Sequence, residues 1–180
     1  MPNEQYSIKI FGNIASSVAL LENLLDRLKL ITEAHYDEFK HAEEPSLVNV
    51  SIGDLAVIPQ TPHVSLVPSS MSIVDLPQQE GAEIRTLIEV YFFREQLDVQ
   101  LLGKRVYRMG ESLRRLYSYY RELRYKDLSR IVYEVQVTSV NYSQLLRQNF
   151  EGERGDKLNR WYGFHGGIIS LECLYYESRY

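Results

Sequence analysis

Residues 84–93 read IRTLIEVYFF. In an extended chain Ile84, Thr86, Ile88, Val90 and Phe92 point one way, and Arg85, Leu87, Glu89, Tyr91 and Phe93 point the other. Ten residues with this period, rich in β-branched and aromatic side chains, predict a strand. The first face is apolar apart from one threonine. The second is only partly polar, which leaves room for cover on both sides. A sheet is therefore the centre of the fold, and the rest of the chain must extend it or cover it.

Downstream of this strand, Leu102, Val106, Met109, Leu113, Leu116 and Tyr120 recur at steps of four and three, which predicts a helix over about 101–122. Gly103 and Gly110 sit one position along that stripe. A glycine costs about 1 kcal/mol against alanine inside a helix, so both are expected where another backbone packs closely. The outer face of the helix carries Lys104, Arg105, Arg108, Arg114, Arg115, Arg121 and Arg124. Residues 131–142 and 161–176 are two more strand patterns around a polar stretch, 143–160, and read as a long β-hairpin. Ile169, Leu171, Cys173 and Tyr175 share one face of its second strand. His165-Gly166-Gly167 is expected to mark a bulge or bend near its start.

Upstream, five of the six prolines fall between 45 and 83. Short apolar runs lie among them, Leu47–Ile52, Asp54–Ile58 and Val64–Val67, and read as short edge strands joined by loops. Residues 68–83, PSSMSIVDLPQQEGAE, read as a long exposed loop, so the domain carries a proline-rich excursion at about 59–83. Before Pro45, the residues Ile14, Val18, Leu21, Leu25, Leu28, Thr32, His35 and Phe39 form one helical stripe, widened by Leu20, Leu24 and Ile31. Ser16 or Ser17 can cap its start. Ser7–Phe11 alternates briefly and reads as a short strand, with Gly12-Asn13 as punctuation. The expected fold is one α+β domain: a mixed or antiparallel sheet with two amphipathic helices packed on it and a long C-terminal β-hairpin.

Composition narrows the function. A chain of 180 residues with 44% hydrophobic and 24% charged residues is globular. One cysteine, Cys173, allows no internal disulfide and suits a reducing compartment. The start, MPNEQYSIKIFGN, has no basic segment followed by a long apolar one, so no signal peptide is expected, and no run approaches the ~20 apolar residues of a membrane span. The net charge of −4 hides an asymmetry: residues 1–100 carry six Lys/Arg against fifteen Asp/Glu, and residues 101–180 carry fourteen against nine. This is either uneven use of solvated surface or a pair of opposite surfaces that meet between copies, as in head-to-tail rings. The fourteen tyrosines suit an interface and suit strands equally.

Motifs for catalysis are missing from the sequence. GFHGG at 163–167 matches neither a phosphate loop nor a dinucleotide fingerprint, and there is no GxSxG or HExxH. His35-x-x-Glu38-x-x-His41 is the best metal candidate. Its spacing spreads the three side chains around the helix, it lacks a fourth ligand, and His35 continues the apolar stripe. Asp37, Glu38, Glu43 and Glu44 read as a solvated helix end and not as an acid–base pair. No enzyme, metal or cofactor is expected. The basic face with its tyrosines has the composition of a single-strand binder. A sequence pI of 5.6 for the whole chain argues against a dedicated one.

The order reached is a long amphipathic helix, a proline-bounded apolar segment (Pro45–Val50 or Pro62–Val67), the strand IRTLIEVYFF, the helix RVYRMGESLRRLY at 105–117, and the closing strands VYEVQVTSVNY at 132–142 and GGIISLECLYY at 166–176. This layout resembles the tail terminator or tail-completion (neck) proteins of long-tailed bacteriophages. The resemblance covers nearly the whole chain in element order and length, with no diagnostic motif. It implies a homo-oligomeric ring, hexameric in that family, that caps the tail tube and offers a docking surface to the head–tail connector, with DNA only passing through the lumen. It places the protein in the virion, assembled in the host cytoplasm, and implies no catalytic residue. The candidate subunit or partner interface is Arg105, Arg108, Arg114, Arg115, Arg121 and Arg124. The competing readings are another neck or baseplate component, or a cytoplasmic domain that binds nucleic acid or a ligand.

Overall fold

The structure is a computed structural model and describes residues 3–53, 60–76, 81–95, 99–124, 132–146 and 164–178. Eight elements follow in order: α1 (Asn3–Phe39), β1 (Asn49–Ile52), β2 (His63–Leu76), β3 (Gly81–Glu95), α2 (Val99–Tyr119), β4 (Glu122–Arg124), β5 (Val132–Leu146) and β6 (Phe164–Ser178). The strands form one six-stranded sheet in the order β1-β2-β3-β6-β5-β4. β1 runs parallel to β2, and the other neighbours are antiparallel, so the sheet is mixed. This is an α+β fold with two helices and a C-terminal β5–β6 hairpin. The run 54–58 lies outside the described residues.

Two expectations fail at the N-terminal side. The first helix starts at Asn3, so Ser7–Phe11 is helical and Gly12-Asn13 does not break it. Phe11 and Ile14 continue the four-three stripe upstream of Val18, and a long helix absorbs the modest cost of one glycine. Residues 68–76 and 81–83 are not loop but the arms of a long β2–β3 hairpin, paired from His63↔Phe93 to Leu76↔Gly81. Pro68 is tolerated because this part of β2 is a sheet edge, and the register slips by one residue between Pro68 and Ser70.

The alternation read in 84–93 holds. Ile84, Thr86, Ile88, Val90 and Phe92 are buried beneath the helices, beside Ile169, Leu171, Cys173 and Tyr175 of β6 and Tyr133 and Val135 of β5. Leu24, Leu28, Thr32 and Tyr36 of α1 and Val106, Met109, Leu113 and Leu116 of α2 close the same core. Several buried polar groups are paired, although the Thr86 hydroxyl has no hydrogen-bond partner among the described residues. The Thr32 hydroxyl donates to the Leu28 carbonyl at 2.7 Å and accepts from the Tyr117 hydroxyl at 2.7 Å. The Tyr133 hydroxyl donates to the Leu20 carbonyl at 3.0 Å. Side chains on the other sheet face, Leu87, Tyr91, Ile168 and Leu174, are half-buried.

The glycines divide. At Gly110 a Cβ would lie 2.5 Å from the Tyr142 ring and 2.9 Å from Phe92, so aromatic side chains and not the expected backbone approach it closely, whereas Gly103 faces open space. Gly166 and Gly167 lie against Phe93 and Phe92, but β6 pairs with β3 without interruption through both. The irregularities lie instead in β5, between Val137 and Ser139 and between Asn141 and Gln144. The expected bulge at His165–Gly167 is thus carried by the opposite strand. Bare glycines let β5 bend over β6 at that point.

Candidate functional site

The six candidate arginines fall into three settings, along α2, in the turn after it and in β4. Nearest the helix start, Arg108 Nη1 donates to Glu43 Oε2 at 2.8 Å and lies 3.8 Å from Glu44 Oε1. Glu43 and Glu44 follow α1, so this contact ties the chain beyond the first helix to the second. Arg105 is half-buried one turn away.

Behind Arg108 lies a group the sequence concealed. Arg94, at the end of β3, donates from Nη2 to Glu44 Oε2 at 2.5 Å; the two side chains are only 5% and 1% exposed. Glu44 is therefore not part of a solvated face, as its neighbours suggest, but one half of a buried ion pair. Burial holds the Arg94 guanidinium below its ordinary range, against the Glu44 carboxylate, which holds it up. Burial also pushes the neighbouring Tyr36 hydroxyl above the phenol range. The one available signal was a charged residue closing the apolar run YFF, which does not by itself reveal a partner fifty positions away.

In the middle of α2, Arg114 donates from Nε and Nη2 to the two Glu111 carboxylate oxygens at 2.7 and 2.8 Å, and Arg115 Nε reaches Glu111 Oε1 at 2.9 Å. The hydrogen bond from Arg114, then that from Arg115, holds the Glu111 carboxyl down at about 2. Spacings of three and four residues put these side chains on one helix face. Arg114 is half-buried and Arg115 exposed. Past the helix, Arg121 is exposed and donates from Nε to the Ser118 carbonyl at 2.9 Å. It borders a cleft of about 300 Å³ with Ser118 and Glu134–Val137. Arg124 is in β4, opposite Val132, and its side chain lies outside the described residues.

The other candidates have structural roles. His35 Nδ1 bonds Glu38 Oε1 at 2.8 Å and its ring lies 4.9 Å from that of Tyr120, while His41 Nδ1 accepts from the Glu43 amide at 3.5 Å. No group of three or more His, Cys, Asp or Glu side chains among the described residues could hold a metal ion. Cys173 is fully buried, and burial pushes its thiol up to about 12, the reverse of what a nucleophile needs. No helix among the described residues is long and apolar enough to cross a membrane. No protein-family model matches the chain, and no curated protein is similar to it.

Proposed function

We propose that this chain is a structural virion protein that forms a ring, hexameric by resemblance, at the end of a phage tail tube, capping the tube and joining it to the head–tail connector. The observation that carries the reading is the one-sided architecture. Both helices lie on one face of a long sheet, and the opposite face, with half-buried Leu87, Tyr91, Ile168 and Leu174, bears neither helix. Such a sheet can face the lumen of a ring while its helices face outward. Each chemical candidate among the described side chains has a structural role, which favours assembly over catalysis.

The nucleic-acid reading loses support from the same geometry. Arg108, Arg114 and Arg115 are engaged by carboxylates of the chain itself, so the basic face is partly neutralised before any phosphate approaches. Mixing the full chain with tail tube protein and with connector protein tests the reading: co-sedimentation with both, and no retention of mixed DNA at low salt, is expected. Tight salt-dependent DNA binding without either protein partner would overturn it.

A further inference from the structure

The sheet ends in two strands that are each paired along only part of their outer side. β2 carries β1 along His63–Leu66. From Val67 to Leu76 no strand lies outside it among the described residues. β5 carries β4 along Val132–Glu134, and the Val135 amide donates to the Arg121 carbonyl at 2.7 Å. From Gln136 to Leu146 its outer side likewise has no strand among the described residues. An open edge presents N–H and C=O groups that template pairing, and soluble proteins usually blunt it with charges. These edges are scarcely charged: VPSSMSIVDL has Asp75 alone, and QVTSVNYSQLL has none. Met71, Ile73 and Val74 on the first are 37%, 57% and 46% exposed.

The register makes the two open stretches complementary. His63, Phe93, Gly166 and Gln144 form one row across the sheet, and Ser72, Arg85, Leu174 and Glu134 form another. β1 thus covers the first of these ends on one side, and β4 covers the second on the other, which leaves the open edges at diagonally opposite corners. Chain sense reverses at each step from β2 through β3 and β6 to β5, so β5 of one copy meets β2 of an identically oriented copy antiparallel. A slide of about six residues, roughly 20 Å, sets Ser72 level with Asn141 and open edge against open edge, with β1 and β4 beyond the junction. Six is even, so the helix-covered faces stay on one side. Spread over the four strands β2, β3, β6 and β5 that then repeat from copy to copy, it amounts to about one and a half residues of stagger per strand.

We propose that β2 (Val67–Leu76) of one copy adds to β5 (Gln136–Leu146) of the next, Ser72 opposite Asn141, so that the sheet continues head to tail from copy to copy. The irregularities of β5 divide the new ladder, and Ser139–Asn141 is the regular run between them. The contact gives the proposed ring its subunit interface and rests on that reading for its biological role. The strand pairing itself is tested separately.

The test uses the full chain carrying Ser72→Cys and Asn141→Cys, both at exposed positions, with the buried Cys173 silent. A short bismaleimide should give a ladder of covalent multimers from the double variant and only background from each single variant. In parallel, Met71→Lys with Ile73→Lys should weaken assembly at least tenfold with an unchanged circular dichroism spectrum. No ladder from a protein that still assembles overturns the strand pairing and leaves the ring standing. Dimers from Ser72→Cys alone overturn it in favour of a two-fold β2–β2 contact, and undiminished assembly of the lysine variant overturns it as well. A wild-type chain that is monomeric at every concentration removes both the pairing and the ring.

Discussion

Glu44 stands between Glu43 and Pro45 in a stretch that reads as solvated, yet it is the more deeply buried partner of Arg94. A buried pair is costly to break from one side, because the charge left behind has no water to replace its partner. Glu44→Ala should therefore cost about 3–5 kcal/mol in chemical denaturation, whereas Glu44→Leu with Arg94→Met should recover most of that loss. A small effect of the single change would mean the pair is solvated. His63 offers a second check. It is buried, hydrogen-bonded to Ser51 at 3.0 Å and stacked on Phe93, and burial holds its imidazole below the ordinary range. The unfolded chain then binds the proton more readily, so stability should be flat above about pH 6.5 and fall below it, by up to about 1.4 kcal/mol for each unit of separation. Replacing His63 by Gln should remove that slope in urea titrations followed from pH 7.5 to 5. Neither residue was legible in advance, because a charged or polar side chain at the end of an apolar run has two outcomes, and the partner that decides lies far along the chain.

Periodicity carried most of the elements. The strand at 84–93, the stripe of α2 as far as Leu116 and the alternation of 169–175 are found as read, because each buries one continuous face against a neighbour; α2 ends at Tyr119, so Tyr120, Arg121 and Arg124 lie beyond the helix they were read into. The hairpin arm at 68–76 was missed because Pro, Ser and Asp are turn formers in isolation. Here β3 supplies backbone partners, and an edge position excuses the proline. Gly103 and Gly110 look alike in sequence and separate only in three dimensions. Gly110→Ala should cost about 1–3 kcal/mol, since its methyl meets the Tyr142 and Phe92 rings. Gly103→Ala should be neutral or stabilise by up to about 1 kcal/mol through helix propensity. Thermal denaturation of the two variants side by side separates these outcomes, and equal effects would contradict the packing at Gly110.

For the whole molecule, the opposite charges of the two halves fit either uneven use of solvated surface or surfaces that meet between copies. Part of the opposite charge is matched within one copy, where Arg108 binds Glu43 and lies near Glu44. Arg114 and Arg115 share Glu111 on one helix face, where Arg115 is exposed. Reversing both to Glu should weaken assembly while shifting the stability of the subunit by less than about 1 kcal/mol, because exposed ion pairs contribute little. Oligomerisation unchanged by that reversal would take these arginines out of the interface. The fold class was legible from spacing alone. The arrangement of the six arginines was not, since a helical face seen in sequence does not show which of its charges are already paired.

If identical copies of this chain close into a ring, mass photometry of the full chain across concentration, alone and with tail tube protein, should detect it. One discrete closed species is expected, six times the subunit mass by resemblance, with ring-shaped particles in negative stain. A single subunit mass at every concentration under both conditions would contradict it.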